Sequence, residues 1–96
     1  MADEPTPEEL AAELEEELKK LKVSDVLVQT VFTVSSLGYR KLSTEDRDLE
    51  QARLAIDSLK ALVAVLEGTL PVEAIRDFNQ VVANMQLAYA KAVSDG

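Results

Sequence analysis

Two stretches of this chain carry the same apolar rhythm, and that repetition limits the folds open to it. Leu49, Ala52, Ile56, Leu59, Val63 and Leu66 are spaced 3-4-3-4-3, and so are Ile75, Phe78, Val82, Met85, Tyr89 and Ala92. This spacing lines six side chains along one helical stripe, the a and d positions of a heptad. Between the stripes stands Gly68-Thr69-Leu70-Pro71, which stops one helix and starts the next. Matched seams joined by so short a turn specify an antiparallel helical hairpin over residues 44–67 and 71–94. Its first helix is expected to begin near Ser43 or Thr44, with Glu45, Asp46 and Asp48 complementing the dipole of the first turns. Further apolar residues (Leu54, Leu62, Val65; Val81, Leu87, Val93) widen both faces beyond what one partner helix covers.

Two shorter helices precede the hairpin. Residues 1–5 read as a disordered tip. Thr6-Pro7-Glu8-Glu9 is a helix start, with Thr6 as cap, Pro7 at the first helical position and Glu9 completing a capping box. Leu10, Leu14, Leu18 and Leu21 then form one narrow seam, so residues 6–22 make an acidic amphipathic helix that must lay this seam against something. Glu15–Lys19 and Glu16–Lys20 stand at i,i+4 and add weak support. Ser24 is placed to cap an apolar second helix over 24–37, with Gly38 as its left-handed C-terminal stop. Leu27, Val31 and Val34 form one stripe of it, and Val28 and Phe32 another. Its β-branched content would also suit a buried strand, although no other segment offers a strand partner. The chain thus reads as all-α: one helical domain over 6–96, a long hairpin with the second helix packed on it and an acidic helix in front.

Charge divides the chain unevenly. Eight acids and no base fall in residues 1–17, while residues 18–96 hold ten acids against ten Lys and Arg. The net charge of −8 is therefore an N-terminal acidic block on a formally neutral body. Such a chain, without a basic stripe, is a poor ligand for nucleic acid or an anionic membrane. The neutral body favours self-association. Val26 to Tyr39 is free of charge for fourteen residues. As a helix it spans about 21 Å, short of the roughly 30 Å hydrocarbon core of a bilayer. The acidic start has neither a positive nor an apolar leader region, so no secretory signal is expected.

The chemistry open to the chain is limited by what it lacks. There is no Cys and no His, which removes disulfides, Cys/His zinc sites and His-based acid–base catalysis. Glu13, Glu15, Glu16 and Glu17 point around a helix rather than converge, so a solvated face is the better reading than a metal cluster. Glu45-x-x-Asp48 and Glu73-x-x-x-Asp77 lack the histidines of a carboxylate metal bundle. No phosphate loop or nucleophile elbow occurs. The expectation is no catalytic residue, no metal and no cofactor. Arg53 and Asp57, four apart, are either an exposed helical pair or a register-fixing pair within an interface.

One resemblance adds to this. Asp48-Leu49-Glu50-Gln51-Ala52-Arg53, Ile56-Asp57-Ser58-Leu59, Leu66-Glu67-Gly68-Thr69-Leu70 and Met85-Gln86-Leu87-Ala88-Tyr89 resemble motifs of the small bacterial proteins called domain of unknown function 1844. Phe32 to Gly38 is similar to that family's apolar segment. The resemblance spans residues 26–93 and implies a cytoplasmic helical protein with no assigned activity, encoded near translation genes. From the residues themselves, the expected function is a non-enzymatic interaction module forming a homo-oligomer or taking a protein partner. Its expected interface is Leu10, Leu14, Leu18, Leu21, Val28, Phe32, Arg53 and Asp57. The alternative of another class is a binder of small apolar ligands between the second helix and the hairpin, lined by Phe32, Met85 and Tyr89.

Overall fold

A computed structural model describes residues 4–95 as four helices: α1 (Pro7–Lys20), α2 (Val23–Leu42), α3 (Leu49–Leu66) and α4 (Val72–Asp95). Among the described residues there is no strand, only an isolated bridge between Glu67 and Leu70 inside the turn. The segment whose β-branched residues left a strand open is helical. Of the expected disordered tip, residues 1–3 lie outside the described residues; Glu4 and Pro5 precede the helix and are exposed.

Both seams of the hairpin face inward. Ala52, Ile56, Leu59, Val63 and Leu66 of α3 and Val82, Met85 and Ala92 of α4 are buried, with Leu59 and Met85 fully so. Leu49, Ile75, Phe78 and Tyr89 are half-buried at the seam ends and edges. The turn satisfies the helix ends from the backbone. The Thr69 and Leu70 amides donate to the Leu66 carbonyl at 3.0 and 3.2 Å, and Ala74 and Ile75 donate to Pro71 at 3.0 and 3.2 Å. Gly68 supplies the left-handed backbone there, with φ of 85°.

The central element is α3, which packs more extensively against α2 than against α4. Val31 of α2 joins Ile56, Leu59, Val63 and Met85 in the main core, and Leu42 joins Ala52 and Ala92 in a smaller cluster at the other end. Three helices therefore run up, down and up around one core.

Three expected boundaries are corrected. α2 does not stop at Leu37: it continues through a buried Gly38 to Leu42. Gly38 is a point of close approach and not a C-terminal stop. A Cβ built on it would lie 2.3 Å from Met85 Cε and 2.9 Å from Ala55 Cβ. Nor does Ser24 cap α2; Lys22 holds the N-cap position without a side-chain hydrogen bond. α3 begins at Leu49 rather than at 44, because Asp48 caps it, accepting from the Gln51 amide at 3.2 Å. The residues between serve the end of α2. Ser43 Oγ donates to the Arg40 carbonyl at 2.7 Å and accepts from the Asp46 amide at 3.2 Å. Arg40 Nε meets Asp46 Oδ2 at 2.6 Å, and the Asp48 amide donates to the Lys41 carbonyl at 2.8 Å.

Candidate interaction surface

The N-terminal helix forms where the sequence starts it. The Glu9 amide donates to Thr6 Oγ1 at 3.1 Å, Pro7 occupies the first turn, and Lys19 and Lys20 end the helix at its negative pole. Its weak ionic support is Lys19–Glu16 at 3.8 Å, three apart, in place of the expected four-apart pairs. No residue of α1 is buried, and α1 makes no packing contact with α2, α3 or α4. Leu10, Leu14, Leu18 and Leu21 are between 47 % and 64 % exposed. A hollow bounded by Leu10, Leu14, Glu13 and Glu17 lies along this single helix and is the bare side of the seam, not a cavity. Four apolar side chains in one row on an otherwise acidic helix form an unpartnered apolar surface.

The other expected interface residues divide. Val28 is half-buried, packed against the main core, and so belongs to the fold. Phe32 is exposed beside α4, its ring edge-on to Phe78 with centroids 5.8 Å apart. Arg53 and Asp57 are both exposed and do not form an ion pair. The sequence places them four apart, but neither side chain is drawn to the other in high dielectric. They offer no register-fixing pair within this chain.

A second surface joins the widened α3 face, with Leu54, to α2 residues that sequence reasoning does not assign to an interface. Between α2 and α3, on the side away from α4, lies a shallow groove of about 210 Å³ with Gly38 and Ala55 among its lining and Val34, Leu37, Leu54 and Lys41 around it. Its signal was present in the spacing. Val23, Val26, Thr30, Val34, Leu37 and Lys41 step 3-4-4-3-4 along α2, and Gln51, Leu54, Ser58, Leu62 and Val65 step 3-4-4-3 along α3. These flanks stand beside the core seams, and no helix of the chain covers them.

No family model, curated protein or solved structure matches the chain. Its surfaces therefore carry the functional argument.

The site proposed by the alternative reading is filled from within. Met85 is fully buried and its thioether lies in the space Gly38 leaves, while Phe32 turns outward to Phe78. Among the described residues no three Asp or Glu side chains are grouped to hold a metal ion. None of the described helices is long and apolar enough to cross a membrane.

Proposed function

We propose that this protein is a non-enzymatic interaction module that self-associates through apolar helix faces. One observation carries the reading: α1 displays four leucines in one seam and touches no other helix of its own chain. A helix of 14 residues is marginal in water by itself, so a seam of this kind gains its stability from a partner surface. Exposed Val23, Leu37, Leu54 and Val65 on the body supply apolar area of the kind such a partner needs. The sequence has no His and no Cys, so the proposal involves no His-based acid–base or thiolate chemistry. A cytoplasmic location is part of the same proposal, as the resemblance to small bacterial helical proteins implies it.

Light scattering across a concentration series tests it. The expected result is a mass of two chains or more at micromolar concentration, with a melting temperature that rises with protein concentration. A monomer throughout, unfolding at one temperature regardless of concentration, removes the self-association reading.

A further inference from the structure

We propose that α1 of one chain seats its leucine seam in the α2–α3 groove of a second copy, and that the exchange is reciprocal. The inference rests on self-association and names the surfaces that perform it. Three observations support it.

The first is pattern. Leu10, Leu14, Leu18 and Leu21 step 4-4-3, and the two flanks of the groove repeat the same three- and four-residue steps. A helix laid between α2 and α3 meets Val34 and Leu37 on one side and Leu54 on the other, over a floor of Gly38 and Ala55 and with Lys41, Gln51 and Ser58 at the rim, the place of a missing member in a bundle. Leu37 and Leu54, each more than half exposed, line the receiving face.

The second is charge. Lys41 is the one charged side chain among the residues lining the groove. On α1, Glu13 and Glu17 sit immediately beside the leucine seam. Docking brings an acidic flank to a basic rim, and no acid lines the groove to oppose it.

The third is reach, which separates a second copy from the chain's own helix. Only Leu21 and Lys22 join α1 to α2, both in extended backbone. Folded back about so short a joint, α1 runs antiparallel to α2 and pairs Leu18 with the level of Asp25 and Leu10 with that of Thr33. Leu37, Leu54 and Lys41 lie beyond the end of its seam. A helix from a second chain has no such restriction and can occupy the groove at the Lys41 end. Two reciprocal contacts also double the buried area, which a stable dimer needs at roughly 800 Å² per partner.

The chain contains no cysteine, so crosslinks can be placed without background. One batch carries Leu14→Cys and a second carries Leu54→Cys, both at exposed positions that leave the core intact. Circular dichroism checks that both fold. Mixed and mildly oxidised, they are expected to give a covalent pair of one chain of each kind, in excess of either self-pair. Lys41→Glu is expected to weaken the dimer roughly five- to tenfold, and added salt to reduce that difference. A chain carrying both cysteines that closes on itself as a crosslinked monomer overturns the proposal in favour of docking within one chain. Dimers that crosslink only Leu14→Cys to itself, or only Leu54→Cys to itself, overturn it while self-association stands. A protein that scatters as a monomer removes both.

Discussion

Gly38 shows how one residue supports two readings. In the sequence it follows an apolar run and stands where helices commonly end, so a left-handed stop is the natural inference. In the fold it lies inside α2, where the absence of a side chain lets Met85 and Ala55 approach. The hint is local: Val31, Gly38 and Leu42 fall seven and four apart, which puts the glycine in the seam. Gly38→Ala tests the point with two opposed terms. Alanine gains about 1 kcal/mol of helix propensity, while overpacking a filled core costs typically 1–3 kcal/mol. Met85 can swing its terminal methyl away, but Ala55 Cβ moves only with its backbone, so overpacking wins. The expected result is a net loss of about 1 kcal/mol by denaturant titration, and a much larger loss for Gly38→Leu. A stabilised Gly38→Ala variant would show that the helices are not in contact there.

The caps give a second comparison at the same scale. Ser24, Ser43, Thr44 and Asp48 are all cap-forming residue types, and residue type alone does not choose among them. What chooses is the fate of the α2 carbonyls: Ser43 serves Arg40, the Asp48 amide serves Lys41, and Arg47 Nη2 donates to the Leu42 carbonyl at 3.1 Å. Asp48 alone is left facing the free amides of α3. Asp48→Ala is expected to cost about 1 kcal/mol, and Ser24→Ala only a few tenths, since Ser24 caps nothing. Equal losses in chemical denaturation would contradict the assignment of caps.

Among the elements, legibility follows how often a signal is repeated. α3 and α4 each state their seam six times, and all twelve positions are buried or half-buried. α2 is rich in small and β-branched residues, so its sequence leaves helix and strand both open, and the helix runs five residues past the end that Gly38 suggests. α1 is legible in its cap, Thr6, and in its bounds to within two residues, while its leucine seam meets no other helix of this chain. Its behaviour can still be predicted. Diluted below the dissociation constant, α1 has only local hydrogen bonds and one exposed ion pair, so its amides should exchange nearly without protection. At high concentration the amides of residues 10–20 should become protected while those of α3 stay unchanged. Leu14→Asp together with Leu18→Asp should abolish that gain in hydrogen exchange and leave the α3 and α4 protection intact. Protection of α1 that does not depend on concentration would mean it docks within its own chain.

For the whole molecule, extents of 60 × 35 × 17 Å describe a three-helix body with a projecting arm. The arm also carries most of the net charge. Residues 23–96 sum to −3, against −8 for the full chain, so removing residues 1–22 takes away both the leucine seam and the main source of repulsion between copies. Every buried core residue lies outside the deleted segment. The shortened protein should therefore keep its helical body and unfold cooperatively, by circular dichroism. Its groove, with Leu37 and Leu54, then has no α1 to receive, and its low charge no longer opposes contact between apolar faces. Discrete dimers are expected to give way to monomers that bind an apolar dye more strongly and precipitate at lower concentration than the parent. Supplying residues 1–22 as a separate peptide should lower the dye signal, and the Leu14→Asp/Leu18→Asp peptide should not. If the shortened chain keeps the parent's size, dye binding and melting temperature, α1 takes no part in the assembly, and its seam must serve a foreign partner instead.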